Sequence, residues 1–167
     1  MSSQGKTQVS RNLEEKTILV VRTFNAPIAS VWRAYTEREL LDQWWGPEPW
    51  RAETKYMNFA EGGHWLYAMI GPDGTTHWAR MNYKKIVPQR LIEGEDAFCD
   101  ENGIMNTMFP VNQWINTFKE NSGSTTVEHK LIFETLEGLQ TIVDMGFEEG
   151  FSTGLDQLDA LLARQTA

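Results

Sequence analysis

Apolar and polar positions change period along the chain. Between residues 16 and 134 the apolar residues fall in short runs that alternate with polar ones; beyond residue 139 they recur at helical spacing. Residues 16–24 (KTILVVRTF) form a β-branched run that predicts a first strand. Pro27 stands where a helix's first turn tolerates proline, and Ile28, Val31, Trp32 and Tyr35 follow at helical spacing. Thr36-Glu37-Arg38-Glu39 fits a capping box that opens a second short helix. Its buried side is Leu40, Leu41, Trp44 and Trp45, and Gly46-Pro47 ends it. Strands are predicted at 50–59, 64–70, 76–87, 90–98, 108–120 and 125–134, with turn residues such as Pro72-Asp73-Gly74 between them. In those strands Trp65, Tyr67 and Met69 share one face, as do Ala79, Met81 and Tyr83; Trp114, Asn116 and Phe118 alternate in the same way.

Residues 139–164 read as one long amphipathic helix, with Phe147, Phe151, Leu155, Leu158 and Leu162 in one stripe. Gly146, Gly150 and Gly154 lie beside it, four residues apart. Each glycine inside a helix costs about 1 kcal/mol relative to alanine. That spacing predicts a close approach on this face, by sheet backbone or by a bound molecule, with sheet packing preferred. A strand, two short helices, a run of turn-linked strands and a final helix exclude a doubly wound parallel sheet. The expected fold is α+β: a curved antiparallel sheet of about six to seven strands on a long C-terminal helix. It occupies residues 16–167 as one domain, and residues 1–15 are expected to fray.

Composition narrows the function. At 41% hydrophobic residues the 167-residue chain is globular, yet no apolar run approaches the roughly 20 residues that span a bilayer. The formal net charge of −8 disfavours nucleic acid and anionic membranes as partners. The N-terminus lacks a signal-peptide core, and Cys99 is the only cysteine, so no intrachain disulfide forms and a cytoplasmic location is expected. Its acidic neighbours Glu95, Asp96, Asp100 and Glu101 argue against a nucleophilic thiol. The three histidines lack zinc-site spacing, and no dinucleotide or phosphate-loop fingerprint occurs, so neither metal nor cofactor is expected.

Seven Trp, eight Phe, four Tyr and seven Met supply material for an apolar pocket, although most of them are expected to fill core. If the apolar sheet face is concave, its pocket-lining candidates are Trp65, Tyr67, Met69, Met81, Tyr83 and Trp114. Trp44 and Trp45 are expected first to plug the helix-to-strand corner, with one of them, Trp45 as the candidate, at the entrance; Met145, Phe151 and Leu155 would meet the sheet residues from the helix. His129 alternates with Val127, Leu131 and Phe133 and so points inward. It is the one candidate catalytic residue, paired with Tyr67, with Tyr83 or with a carboxylate of residues 93–96. A buried histidine is more often a satisfied core residue.

Four segments carry a family resemblance: LLDQWWGPEPW at 40–50, GGHWLYAMIGPDG at 62–74, KKIVPQRLIE at 84–93 and GFEEGFSTGLDQLDALLA at 146–163. In this order the chain resembles, over roughly residues 16–164, the bacterial branch of the activator of heat-shock-protein ATPase homologues, in the START-like (SRPBCC) superfamily. The resemblance implies a helix-grip fold with an apolar cavity between sheet and helix. The reading preferred from it is binding of a small hydrophobic or amphipathic molecule without catalysis. An enzyme of polyketide cyclase or hydrolase type is the alternative. A second alternative is a co-chaperone-like interaction module, which predicts an apolar patch on the outer sheet face. A homodimer is compatible with each reading.

Overall fold

The alternating segments become one antiparallel sheet in a computed structural model that describes residues 7–109 and 111–166. Its elements are β1 (Gln8–Asn12), β2 (Thr17–Phe24), α1 (Ile28–Thr36), α2 (Arg38–Trp44), β3 (Arg51–Met57), β4 (His64–Ile70), β5 (Thr76–Val87), β6 (Leu91–Cys99), β7 (Asn112–Asn121), β8 (Ser124–Phe133), α3 (Leu136–Asp144) and α4 (Phe147–Thr166). The eight strands lie in the order β1-β2-β8-β7-β6-β5-β4-β3, every neighbouring pair antiparallel. The fold is α+β, with the helices on the concave face. Among the described residues no helix is long and apolar enough to cross a membrane.

Three local expectations are corrected. The segment expected to fray contains β1, whose residues pair from Gln8 with Val21 to Asn12 with Thr17. All five of its side chains are exposed, so no alternation marks it; backbone bonds to β2 hold it. The remaining tail, residues 1–6, lies outside the described residues. The long helix is two helices. Gly146 takes φ +83°, a conformation that L side chains rarely adopt, and turns the chain between α3 and α4. The capping box at Thr36 does not form: its hydroxyl donates back to Trp32 O at 2.9 Å, and α2 starts without a side-chain cap.

The core lies between the sheet and α4, which buries Phe151, Leu155, Leu158 and Leu162. A Cβ on Gly154 would stand 3.2 Å from Trp44 O, so this glycine lets α4 approach the end of α2, not the sheet. Gln157 locks that corner: its amide donates to Trp44 O at 3.1 Å and Gly46 O at 2.8 Å and accepts from Glu48 N at 2.8 Å. At the opposite edge the fully buried Arg22 of β2 donates to Asp156 at 2.7 Å and Asp159 at 3.4 Å on α4.

Candidate functional site

Where α3 turns into α4, the helices leave part of the concave face uncovered. The gap is a cavity of about 690 Å³, within the range of small-molecule sites. Its floor is Tyr67 and Met69 of β4, Ala79 of β5, Asp96 and Phe98 of β6, and Asn112 and Trp114 of β7. Ile142, Met145, Phe147 and Phe151 form the helical side, and Trp45, Pro47 and Trp50 the corner after α2. His77 stacks on Trp50 at the rim, ring centroids 5.6 Å apart.

Edge-to-face aromatic contacts stiffen this wall. The Trp45 ring lies 5.4 Å from Trp65, 6.0 Å from Trp114 and 5.7 Å from Phe151. Trp114 also meets Phe147 at 5.8 Å, and Phe147 stacks on Phe151 at 5.4 Å.

The polar atoms of the wall are unusual. Asp96 Oδ1, Trp45 Nε1 and Trp114 Nε1 are buried with no hydrogen-bond partner. Elsewhere the indoles are paired: Trp44 donates to Ala34 O and Trp65 to Thr54 Oγ1, both at 2.9 Å. Burial pushes the Asp96 carboxyl up to about 7, against the opposing pull of the Ala97 N–H. The Tyr67 hydroxyl is held well above its ordinary value, first by burial and then by the charge of Asp96, against the opposing pull of the nearby Trp45 N–H. Glu48 and Glu149 add two further carboxylates to the lining, and no lysine or arginine lies on it.

Of the eleven candidates, Trp45, Tyr67, Met69, Trp114, Met145 and Phe151 lie on this wall. The other five sit in the core. Trp65 is stacked on Tyr67 at 4.1 Å, and Tyr83 is covered by Phe59 at 4.8 Å. Met81 fills the space over Gly94, where a Cβ would come within 2.7 Å of its sulfur. Leu155 is fully buried on α4.

His129 is buried behind Phe151, 4.8 Å between rings. Its Nδ1–H donates to Val20 O at 2.9 Å, and its Nε2 accepts from the Tyr35 hydroxyl at 2.8 Å, which assigns the tautomer. Burial pulls its pKa down to about 4, against the opposing Val20 carbonyl. A neutral imidazole with both nitrogens occupied ties α1 to the sheet and offers the cavity no proton acceptor. The catalytic expectation for His129 is thereby overturned.

In the sequence Asp96 stands out only as an acidic neighbour of Cys99 and as one carboxylate among residues 93–96. Its signal was its step with Ile92 and Phe98, which puts a carboxylate on the apolar face of β6. Asn112 and His77 carried no such signal. Among the described residues no group of three His, Cys, Asp or Glu could hold a metal ion. The outer sheet face carries exposed Glu128, Lys130, Thr117, Lys119 and Gln113. The apolar side chains Ile104 and Met108 are exposed instead in the loop between β6 and β7.

No curated protein matches the chain. Solved structures do. Protein Ms6760 from Mycobacterium smegmatis is 30% identical with a TM-score of 0.87, the match covering 94% of this chain and 97% of that one. A protein from Arthrobacter aurescens is 29% identical with a TM-score of 0.89, covering 94% and 91%. One from Staphylococcus epidermidis is 32% identical with a TM-score of 0.82, covering 95% and 94%. The family model described as Activator of Hsp90 ATPase homolog 1-like protein matches residues 25–163. The chain therefore belongs to the Activator of Hsp90 ATPase homolog 1-like family, with the fold of the START-like proteins.

Proposed function

We propose that this protein binds a small, mainly apolar molecule in the cavity between the sheet and the α3–α4 corner. The observation that carries the reading is the wall itself. Tryptophan, phenylalanine and methionine side chains surround a preformed space, and a few buried polar atoms in it lack partners. Surface this apolar gains from excluding water, by about 25 cal/mol for each Å² an apolar ligand covers. The single cysteine, which can form no intrachain disulfide, fits a reducing compartment such as the cytoplasm.

The test uses a neutral lipophilic dye, Nile red, titrated into the protein and into Ala79→Phe, which fills the cavity floor. The expected result is a saturable emission rise at one equivalent, lost in the variant while its circular dichroism is unchanged. A dye that does not bind, or binds both proteins alike, defeats the proposal.

One observation favours a second reading. Asp96, poised near neutrality and in electrostatic reach of Tyr67, has the properties of a proton-transfer group. Chemical change of a molecule extracted with the protein, abolished by Asp96→Asn, would carry that reading.

A further inference from the structure

Three buried polar atoms on one cavity wall define the polar end of what the cavity takes. Asp96 Oδ1 is an acceptor and Trp114 Nε1 a donor, and neither has a partner in the protein; Trp45 Nε1, a second donor, lies within reach of the Tyr67 hydroxyl without completing a well-aligned bond to it. They are also close together. Asp96 pairs across the sheet with Asn112, and Gly94 with Trp114, so Asp96 and Trp114 share a face on diagonal positions of β6 and β7. Such diagonal neighbours lie about 7–8 Å apart at the backbone, within reach of a carboxylate and an indole converging on one group. Trp45 packs on Trp114 at 6.0 Å between rings and brings its own N–H to the same region. Trp114 is only 3% exposed, so bulk water does not supply its partner.

The chemistry of the missing group follows from this set. Where Asp96 is ionised, it must donate to a carboxylate oxygen and accept from an indole N–H. A hydroxyl does both. A carbonyl or ether accepts only. An ammonium donates only, so it suits the carboxylates but leaves both indole N–H groups without an acceptor. A carboxylate accepts only and would enter a cavity that already holds Asp96, Glu48 and Glu149, with no lysine or arginine on its wall.

We infer that the cavity selects an apolar molecule carrying an alcoholic or phenolic hydroxyl, which donates to Asp96 and accepts from the Trp45 or Trp114 N–H, and that it rejects carboxylate-headed molecules such as fatty acids. This rests on the cavity-binding proposal and adds to it which polar end is recognised and by which residues.

A matched series tests it: naphthylmethanol, ethylnaphthalene, naphthylmethylammonium and naphthylacetate, each titrated by calorimetry into the full chain at about pH 8, above the point where Asp96 titrates, and competed against Nile red. The alcohol is expected to bind about tenfold more tightly than ethylnaphthalene, the value of one well-made hydrogen bond, and at least about tenfold more tightly than the acetate. Asp96→Asn should lift the bar to the acetate. Trp114→Phe should weaken the alcohol and leave ethylnaphthalene unchanged, a split that mere loss of packing would not give. Acetate binding equal to the alcohol, the ammonium binding tightest, or an unchanged ranking in Asp96→Asn would overturn the assignment. Dye displacement by all four compounds alike keeps the cavity and removes the hydroxyl; displacement by none, with no dye bound, removes the cavity reading itself.

Discussion

Replacing Asp96 by asparagine should stabilise the protein in alkaline solution and leave it nearly unchanged in acid. The carboxyl titrates near 7 in the fold, against an ordinary value of 3.8. Between those values the folded protein holds a proton that the unfolded chain has released. Stability is therefore fully present below about pH 4 and is lost as pH rises through about 7. At about 1.4 kcal/mol for each pKa step of one, the ionised carboxylate destabilises the fold by up to about 4 kcal/mol near pH 8. Asparagine keeps the shape and removes the charge. Urea unfolding of the ligand-free protein, followed by tryptophan fluorescence across about pH 4 to 8, measures the difference.

His129 supplies the opposite slope over part of that range. Its pKa is about 4 in the fold against an ordinary 6.5, so the unfolded chain takes up a proton that the folded one refuses. Stability falls by roughly 3 kcal/mol as pH drops from about 6.5 to 4. In the unmodified protein the two slopes oppose each other; Asp96→Asn should leave the His129 slope alone. The other ionisable groups around Asp96 are Tyr67, Cys99, His77, Glu48 and Glu149, and the substitution leaves all of them in place. A variant whose curve runs parallel to the parent's, or one less stable than the parent at pH 8 but equal to it at pH 4, would refute the assignment of a buried, unpaired charge.

Tyr35→Phe removes the donor to His129 Nε2 and should cost about 1–3 kcal/mol in urea unfolding with no loss of dye binding, because neither ring lines the cavity. The three glycines of the α3–α4 region should separate on substitution by alanine, read as melting temperature. Gly150, whose added Cβ would make ordinary contact with Pro47 at 3.6 Å, should gain up to about 1 kcal/mol. Gly154→Ala should be destabilising through the 3.2 Å contact with Trp44 O, and Gly146→Ala should lose about 1 kcal/mol or more at φ +83°. Cys99 should react with iodoacetamide only slowly at pH 8 and accelerate toward pH 11, since burial and the charges of Asp100 and Asp96 hold its thiol up against the pull of Arg80.

The alternation of Trp65, Tyr67 and Met69, and of Ala79, Met81 and Tyr83, was enough to place the sheet's apolar face, because side-chain direction in a strand follows from position alone. It was not enough to place the cavity. Alternation says which face is covered, not which stretch of it the helices leave open. Tyr67 and Tyr83 point the same way, yet Tyr83 is capped by Phe59 while Tyr67 borders the void. His129 fails as a cavity residue for the same reason: it shares the inward face but lies beneath Tyr35 and Phe151. The helix break escaped because Phe147 and Phe151 continue the apolar stripe, and a glycine's positive φ leaves no trace in the pattern. β1 escaped because its five side chains are all exposed: backbone pairing with β2 and the surface ion pair of Arg11 with Glu148, not a buried face, hold it.

The distribution of unsatisfied polar atoms argues that the cavity is a site and not a packing fault. Among the described residues five buried side-chain atoms lack a partner, and three of them face the cavity. Arg22 Nε, one of the other two, belongs to a guanidinium already paired with Asp156 and Asp159. Away from the cavity, Tyr35, His129, Trp44 and Trp65 all find partners at 2.8–2.9 Å. Asn116 Oδ1 is the one orphan away from the cavity that belongs to an otherwise unpaired group, so three such atoms on one wall are a concentration, which exchanging Asp96 for an apolar residue would have reduced. Each orphan left in place costs about 1–3 kcal/mol. Retaining a carboxylate and two indole N–H groups on one wall is expected where a ligand completes them, because the penalty in the empty state is recovered as selectivity in the filled one. Filling the cavity with a hydroxylated ligand should therefore raise stability at pH 8 by more than the same ligand raises it in Asp96→Asn, which thermal melts at matched free ligand concentration would show. Equal shifts would mean that the carboxylate plays no part in binding.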